Sequence, residues 1–289
     1  MESKTWYNND GRISVPHLEW HASHACNFTC ESCNHFSNHA HNEIIPKNEI
    51  KKWLESWGDR IAPREIAVLG GEPLMNKEIL DIIALGRECF GYDGIKDYEI
   101  VTNGWLLEKF PDLPKVLKEN DCWLAVSIHG DSLEYNKKFQ TKVVDIVNEW
   151  VNEYDIKVRP YHSSVDWVRA YFGFGNNMEP FEDNDPEKSW DNCPTGQECF
   201  QLLDSNIFKC APLAYLPMQK KRYPNMSEKW DHYLEYNPLT PNCSEDDIIE
   251  FFNRKAESFC AMCPSNPTLF KKRNPELPIK FYEAKKKGK

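Results

Sequence analysis

The 289-residue sequence lacks an apolar run long enough to cross a membrane, and its polar amino terminus lacks the apolar segment of a signal peptide. It also lacks an excess of positive charge, since 45 acidic residues outnumber 35 Lys and Arg and give a formal net charge of −10. Such a balance argues against a broad nucleic-acid-binding surface. Internal repeats and low-complexity stretches are missing as well. We therefore expect a cytoplasmic protein that interacts with neither membranes nor nucleic acids.

Eleven cysteines are present, and in a reducing cytoplasm they are better explained as metal ligands than as disulfides. Three of them, Cys26, Cys30 and Cys33, lie close together in one loop that follows a predicted strand. Three thiolates in one loop can bind three irons of a four-iron cluster and leave the fourth iron open for another ligand. The alternative is a structural zinc site that takes His35 or His39 as its fourth ligand.

Strand and helix patterns alternate between residues 15 and 175. Apolar runs predict strands at 17–21, 66–69, 98–101, 123–128 and 156–159, and amphipathic periodicity predicts helices after Pro46 and Asn76, through Leu106 and Leu107, and from Val143 to Trp150. This alternation is typical of an α/β fold, a parallel sheet with helical crossovers. Polar or glycine-rich residues follow the strands, at Gly70-Gly71-Glu72-Pro73, Thr102-Asn103-Gly104, Ser127 and His129-Gly130-Asp131. Because parallel strands end at the same edge of a sheet, this edge is the predicted site.

A second group of cysteines follows residue 175, where the composition changes. Residues 176–192 are rich in Asn, Asp, Glu and Pro and are predicted to be a linker. Beyond them lie Cys193, Cys199, Cys210, Cys243, Cys260 and Cys263. A hairpin is predicted at 200–209 with its turn at Asp204-Ser205-Asn206, and a helix capped by Ser244, with Ile249, Phe252, Ala256 and Phe259 on its apolar side, leads to Cys260. We expect a small metal-dependent module here, either an iron–sulfur site or a four-cysteine zinc ribbon, whereas Cys89 and Cys122 are predicted to be packed thiols.

The cysteine loop, Gly70-Gly71-Glu72-Pro73, Asn103 and Ser127 together resemble the radical S-adenosylmethionine (radical SAM) superfamily. The resemblance covers about residues 15–175 and implies a partial (β/α)6 barrel of the TIM type. It departs from many members at Ser32, since an aromatic residue often precedes the third cysteine. We accordingly divide the chain into an amino-terminal segment (1–14), the barrel (15–175), the linker (176–192), a small carboxyl-terminal domain of hairpin plus helix (193–275) and a basic tail (276–289).

The resemblance implies two cofactors for the barrel. One is a [4Fe–4S] cluster held by Cys26, Cys30 and Cys33, and the other is S-adenosyl-L-methionine, which chelates the open iron. An electron from the cluster then breaks the sulfonium bond, and the resulting 5′-deoxyadenosyl radical takes a hydrogen atom from an unactivated carbon of the substrate. The protein supplies orientation and excludes competing reactions.

By the same resemblance, residues at the strand ends bind S-adenosylmethionine. Gly70, Gly71 and Glu72 are expected along its methionine amino group, because glycine permits close backbone approach and a carboxylate accepts hydrogen bonds from an ammonium group. Asn103 and Ser127 are expected at its ribose or carboxylate. For Asn103 and the glycine after it, a plain turn is the alternative.

The later cysteines resemble the auxiliary-cluster modules called twitch and SPASM. The matching pattern is Cys193-x16-Cys210 followed by Cys260-x2-Cys263, and it implies a second [4Fe–4S] cluster that serves electron transfer or binds substrate. Cys199 is the alternative to Cys193 as the first ligand. Ser205 departs from the glycine that is usual at its position, and Cys243 has no assigned role.

The resemblance also bears on the reaction. Members with one auxiliary cluster include 2-deoxy-scyllo-inosamine dehydrogenase, which oxidises a secondary alcohol, so we expect oxidation or epimerisation of a small polar substrate such as a sugar, an aminocyclitol or a nucleotide derivative. The strand-end residues His129, Asp131, Tyr161 and His162 are candidate bases. A flavodoxin- or ferredoxin-type protein is the expected reductant. The alternatives are modification of a ribosomally made peptide with the help of a separate recognition protein, and a non-catalytic zinc-binding interaction module.

Overall fold

The computed structural model describes residues 6–130, 132–163, 168–181, 185–193 and 198–269. Its strands are β1 (Ile13–Ser23), β2 (Ile61–Gly70), β3 (Asp97–Thr102), β4 (Trp123–Ser127), β5 (Val158–Tyr161), β6 (Gln201–Leu203) and β7 (Asn206–Phe208). Its α-helices are α1 (Lys47–Gly58), α2 (Ile79–Phe90), α3 (Leu113–Glu119), α4 (Leu133–Phe139), α5 (Asp145–Tyr154), α6 (Pro186–Asp191), α7 (Ala211–Arg222), α8 (Asp231–Leu234) and α9 (Glu245–Asn253). Among the helices in these ranges, none combines the length and the apolar composition that crossing a membrane requires.

The seven strands form one sheet in the order β5-β4-β3-β2-β1-β6-β7. The pairs from β5 through to β6 are parallel, whereas β7 pairs antiparallel with β6. Parallel neighbours need long crossovers, and α1 to α5 lie in those between β1 and β5. The predicted α/β fold of the partial-barrel type is therefore confirmed.

The predicted hairpin is present as β6 and β7. Its turn has positive φ at Asp204 (51°) and Ser205 (63°), as a two-residue turn of type I′ requires. Ser205, where a glycine is usual, thus adopts the left-handed conformation that glycine would adopt more easily. β6 pairs with β1, so the hairpin extends the barrel sheet.

The two faces of the sheet differ in character, as β1 shows most directly. Leu18 and Trp20 are fully buried in the apolar core, whereas His17 and Glu19 alternate with them and point to the opposite face. Residues in register across strands share a face of the sheet. The charged and polar residues on this opposite face, here called the polar face, include His17, Glu19, His21, Glu65, Asp97, Glu99, Ser127, Arg159, Tyr161 and Gln201.

Several elements have bounds other than those predicted. β1 begins at Ile13, inside the predicted amino-terminal segment, and β2 begins at Ile61, because these two central strands pair along most of their length. The helix predicted through Leu106 and Leu107 is a 3-10 turn, Leu107–Lys109, and α3 follows it with Pro114 in its first turn, where proline is favoured. The predicted linker 176–192 contains α6.

The last helix is shorter than predicted. α9 has the predicted capping box between Ser244 and Asp247, but it ends at Asn253, and its buried side chains are Ile248, Phe251 and Phe252. The carbonyls of the next two residues, 254 and 255, accept hydrogen bonds from the buried Lys209 ammonium group, which orients them away from a continuing helix. As a result, Ala256 and Phe259 lie outside α9, and Cys260 belongs to a separate 3-10 turn, Ser258–Met262.

Candidate active site

The three clustered cysteines lie at the carboxyl ends of the parallel strands. Cys26, Cys30 and Cys33 line one cavity of about 180 Å³, here called the loop cavity. Gly70 at the end of β2, Gly71 after it, Asn103 after β3 and Ser127 at the end of β4 line the same cavity. Further lining residues include Phe28, His35, Asn38, Val101, His129 and Ser163. Of the residues predicted to hold the first cluster and its cofactor, Glu72 is the one that lies outside this lining.

Glycine is required at Gly70, the last residue of β2, and at Gly71, because both lie in close contact with the cysteine loop. A Cβ atom on Gly70 would lie 2.3 Å from the carbonyl oxygen of Ser23, and one on Gly71 would lie 2.4 Å from that of Ala25. The Gly71 N–H donates to the Ser23 carbonyl at 2.8 Å, and the Glu72 N–H donates to the Ala25 carbonyl at 2.9 Å. Side chains at either glycine would push the loop away from β2. Backbone groups of both glycines therefore face the loop and the cavity together.

Glu72 has a different position from the one predicted for it. Its carboxylate is buried, and it accepts hydrogen bonds from the Thr102 hydroxyl (2.6 Å), the Asn103 N–H (2.9 Å) and the Leu74 N–H (3.0 Å). Burial raises the pKa of Glu72 to about 7 despite these donors. The side chain thus joins the ends of β2 and β3, and it positions the residues that line the cavity.

Replacing Glu72 with glutamine is expected to destabilise the protein and to flatten its pH dependence. The amide would turn an NH₂ group toward the Asn103 N–H, and the lost buried hydrogen bond costs about 1–3 kcal/mol. The folded wild-type carboxyl keeps its proton up to about pH 7, whereas the ordinary pKa is 4.5, so its contribution to stability falls as the pH rises through that window. Urea unfolding across this window measures both effects. Thr102→Val is the control, because it removes one hydrogen-bond partner but keeps the carboxyl group, so its stability should still fall as the pH rises. If the stability of Glu72→Gln fell with pH in the same way, this role of Glu72 would be contradicted.

The three thiols of the loop favour their neutral form when they are free. Burial raises the pKa of Cys26 and of Cys30 to about 12, and it also raises that of Cys33. A bound metal must therefore supply the charge that deprotonates them. The Phe28 N–H donates to Cys26 Sγ at 3.4 Å, and Nδ1 of His129 lies 3.5 Å from Cys30 Sγ.

This donor set fits an iron–sulfur cluster better than a single zinc ion. Within the described residues, no three Cys, His, Asp or Glu side chains are arranged to share one metal ion. A four-iron cluster separates its ligands more widely, since each thiolate binds a different iron. The histidines of the zinc interpretation have other partners: His35 Nδ1 lies 2.7 Å from His21 Nε2, and His39 Nε2 lies 3.3 Å from the Tyr171 hydroxyl.

Ser32 connects the cysteine loop to a later segment. Its hydroxyl accepts hydrogen bonds from the N–H groups of Ala170 (2.8 Å) and Tyr171 (3.1 Å) and donates to the Tyr171 carbonyl (3.2 Å). One donor and two acceptor sites are thereby filled, which is the full capacity of a hydroxyl group. Hydrogen bonds therefore fix the loop at the position where an aromatic side chain would pack. Sequence reasoning did not find this contact, because nothing near residue 170 marks it.

Asn103 shows both features that the sequence left open. Its Oδ1 accepts from the Trp105 N–H at 3.1 Å, and Gly104 has a φ of 81°, so the turn is present. Its Nδ2 donates to Oδ1 of Asn27 in the cysteine loop at 2.7 Å. The side chain also lines the loop cavity. The turn thus presents the amide at the cavity, and contact with a cofactor stays a prediction.

The candidate bases are not gathered in one group. His129 lines the loop cavity, and burial lowers its pKa to about 4, which keeps the imidazole neutral. Tyr161 lies on the polar face, where burial and the nearby Glu99 raise its pKa to about 12, and its hydroxyl donates to Glu99 at 2.9 Å. His162 follows β5 directly. Asp131 lies outside the described residues.

The hydrogen-bonded network of the polar face was missed by the sequence analysis. Arg159 donates to Glu99 at 3.1 Å and to Asp97 at 3.0 Å, and the His17 ring lies 3.1 Å from Glu19. Burial raises the pKa of Glu99. On β3, Val101 is the next residue on the same face of the sheet, and it lines the loop cavity. The sequence did carry a signal for this network, namely the alternation of charged and apolar residues along the strands. Charged residues at every second position of a strand cannot all face an apolar core.

A second cavity collects later cysteines. It has a volume of about 50 Å³ and is here called the five-thiol cavity. The thiols that line it are Cys193, Cys199, Cys210, Cys260 and Cys263, and the other lining residues are Ser189, Trp190, Lys209, Leu213, Phe259 and Met262. Burial raises the pKa of Cys263 to about 12 and also raises those of Cys210 and Cys260. The five-thiol cavity therefore brings together the four thiols predicted for a second metal site and Cys199, the alternative ligand.

The other three cysteines of the described chain line neither of these cavities. Cys89 on α2 and Cys122 before β4 pack against the apolar core, as predicted. Cys243 lies near Arg60, whose guanidinium donates to the Cys243 carbonyl at 2.6 Å and approaches its Sγ at 3.7 Å. These thiols have structural surroundings and no shared metal site.

Known relatives were found at the level of sequence. A family model described as the radical SAM superfamily matches residues 20–183. GTP 3′,8-cyclase of Thermodesulfovibrio yellowstonii is 36% identical over 117 residues, which are 39% of this chain and 34% of that protein. GTP 3′,8-cyclase of Alkaliphilus oremlandii is 29% identical over 150 residues, 48% of this chain and 42% of that protein. The chain spans less than half the length of these curated relatives.

Solved structures with similar folds include BtrN in complex with AdoMet and 2-DOIA, at a TM-score of 0.47 and 14% identity, covering 91% of this chain and 97% of that chain. Native anSMEcpe with bound AdoMet has a TM-score of 0.39 and 21% identity, covering 50% of this chain and 44% of that chain. The family match covers more than half of the chain and includes the cysteine loop and all the strand ends of the loop cavity. This chain therefore belongs to the radical SAM superfamily, whose members use a [4Fe–4S] cluster and S-adenosylmethionine.

Proposed function

We propose that this chain reductively cleaves S-adenosylmethionine and takes a hydrogen atom from a small polar substrate, in an oxidation or an epimerisation. One observation carries the proposal: the three loop thiols share the loop cavity with the predicted cofactor-binding residues Gly70, Gly71, Asn103 and Ser127. When bound, the cluster and S-adenosylmethionine supply the electron and the 5′-deoxyadenosyl radical. An external flavodoxin- or ferredoxin-type protein is the proposed source of that electron.

The chain's own residues bind and orient these groups. The thiolates of Cys26, Cys30 and Cys33 would hold the cluster. Backbone carbonyls near Gly70 and Gly71 would accept hydrogen bonds from the methionine ammonium group, since the Glu72 oxygens already have three donors. Asn103 and Ser127 offer an amide and a hydroxyl group to the ribose or the carboxylate. The ring of Phe28 packs edge-on against the ring of His129, with centroids 5.6 Å apart, and both residues line the loop cavity.

The polar face supports a substrate that carries hydroxyl groups. Glu99 is held by Arg159 and by Tyr161, and burial raises its pKa, which makes it a stronger proton acceptor than an ordinary carboxylate. In the proposed oxidation, the bound cofactor would supply the radical that removes a hydrogen atom from a carbinol carbon, and Glu99 would accept the hydroxyl proton. One electron then remains to be removed from the substrate.

We propose that a second [4Fe–4S] cluster in the five-thiol cavity accepts this electron. Its ligands would be Cys193, Cys210, Cys260 and Cys263, with Cys199 as the fifth thiol of the cavity. Two facts about the site support this assignment: its donors are all sulfur, and the rest of its lining is mainly apolar. Such a site suits a redox cluster, since burial and low polarity tune its potential.

The relatives narrow the choice of test substrates. The GTP 3′,8-cyclases act on a nucleotide, so a nucleotide derivative belongs to the proposed substrate class along with sugars and aminocyclitols. In the matches given above, however, the similarity covers at most 48% of this chain. GTP is therefore one candidate to be tested beside the others.

Anaerobic turnover with dithionite tests the proposal. The reconstituted protein is incubated with S-adenosylmethionine and with GTP, aminocyclitols, sugars or short peptides that carry deuterium at carbon. We expect 5′-deoxyadenosine and methionine, with deuterium transferred to the nucleoside from one small polar substrate, and a ketone or an inverted centre in the product. The matched control is the deoxy analogue of that substrate, which lacks the hydroxyl group and yields no ketone. Deuterium transfer from a peptide alone, or a product without either change, would overturn the proposed reaction.

A further inference from the structure

We infer that Lys209 sets the reduction potential of the second cluster by holding a buried positive charge beside it. The inference rests on the proposed function, because it requires the cluster in the five-thiol cavity. Among the described residues that line that cavity, Lys209 alone carries a formal charge next to thiols and apolar side chains. Its sequence neighbour Cys210 is one of the proposed ligands.

The Lys209 ammonium group is buried and fixed. The residue is 5% exposed, and its Nζ lies 3.0 Å from Glu257 Oε2. The ammonium group also donates to the Arg254 carbonyl at 3.2 Å and to the carbonyl of the next residue. On another side, Nζ lies 4.2 Å from the centre of the Trp190 ring. With two hydrogen bonds to carbonyls, an ion pair and an aromatic face around it, this charge cannot turn away to solvent.

A fixed cation of this kind acts on a cluster through its charge. A four-thiolate cluster is anionic, and it becomes more so when it takes an electron. Because the interaction between charges is strong where water is excluded, a buried cation stabilises the reduced form and raises the potential. Glu257 has the opposite sign, lies outside the cavity lining and is 18% exposed. It therefore acts in the opposite direction.

Lys209 also joins the segments that carry the thiols, so a structural role must be separated from an electrostatic one. It follows β7, it contacts Trp190 of α6, and its carbonyl acceptors precede the turn that carries Cys260. Loss of these contacts would loosen the cavity whatever the charge. Removing the charge of Glu257 also breaks the Lys209–Glu257 ion pair, yet it should raise the reduction potential, whereas removing the charge of Lys209 should lower it.

The test is a redox titration, monitored by electron paramagnetic resonance, of the full chain. Cys26, Cys30 and Cys33 are changed to alanine so that the second cluster alone contributes. In that background we expect Lys209→Met to lower the ratio of reduced to oxidised cluster at a fixed potential by about tenfold, which is about 59 mV for one electron. Glu257→Gln should raise the ratio, and Lys209→Arg, which keeps the charge, should stay near the parent.

The outcomes separate this inference from the proposed function. If the background variant binds no iron, the second cluster itself is refuted. If that cluster is present but Lys209→Met and Glu257→Gln leave its potential unchanged, or shift it in the same direction, the role of Lys209 is refuted. Opposite shifts with an intact iron content of about four per chain support it. Retention of the potential in Lys209→Arg would show that the charge is what matters.

Discussion

Changing Cys26, Cys30 and Cys33 together to alanine is expected to lower the formation of 5′-deoxyadenosine to less than about a thousandth of the parent rate. The reason is that the three thiols line the loop cavity with the predicted cofactor-binding residues, and without them no open iron is left to bind S-adenosylmethionine. Anaerobic incubation with dithionite and S-adenosylmethionine, followed by chromatography of the nucleoside, measures this loss. Iron content should fall from about eight to about four per chain, since the second cluster stays.

The matched control removes three thiols that line neither cavity. Cys89, Cys122 and Cys243 are changed to alanine together, which costs some packing because Cys122 is 2% exposed. Iron content and nucleoside formation should both stay near the parent values. If the loop variant still cleaved the cofactor, or if the control lost cleavage to the same extent while remaining folded, the loop cavity would not be the site of this reaction.

The cysteine loop and the strand ends could be predicted because their signals are local. Cys26, Cys30 and Cys33 have fixed spacing, and Gly70-Gly71 directly follows an apolar strand, so parallel topology brings them together. The position of Glu72 could not be predicted in this way. Its carboxylate is occupied by Thr102 and Asn103, and that pairing depends on how the ends of β2 and β3 meet in space.

The carboxyl-terminal part was predicted less well, for reasons of tertiary structure. The hairpin was evident from its turn, but its strands have three residues each, and nothing in them specifies pairing with β1. The predicted last helix continued too far, because Lys209 draws the carbonyls after Asn253 toward itself. A buried lysine from a distant segment is invisible to helical periodicity.

Four of the five thiols in the five-thiol cavity are expected to bind iron, with Cys193 among them and Cys199 left free of the metal. Cys193→Ala is expected to lose about four irons per chain and to abolish substrate oxidation, while cleavage of S-adenosylmethionine continues. Burial raises the pKa of Cys210, Cys260 and Cys263, and the Cys193 thiol raises each of them further. Cys193 thus lies close to all three of the other proposed ligands, as a member of one cluster must.

Cys199→Ala is the matched variant, since it removes a thiol from the same cavity. In the sequence, Cys193 and not Cys199 has the spacing to Cys210 that the auxiliary-cluster pattern predicts, so we expect the iron content and substrate oxidation of Cys199→Ala to remain near the parent values. Iron and sulfide analysis of the two anaerobically purified variants decides between them. The reverse result would exchange Cys199 for Cys193 in the ligand set. If neither variant loses iron while Cys210→Ala also retains it, the five-thiol cavity holds no cluster, and the electron from the substrate must leave by another route.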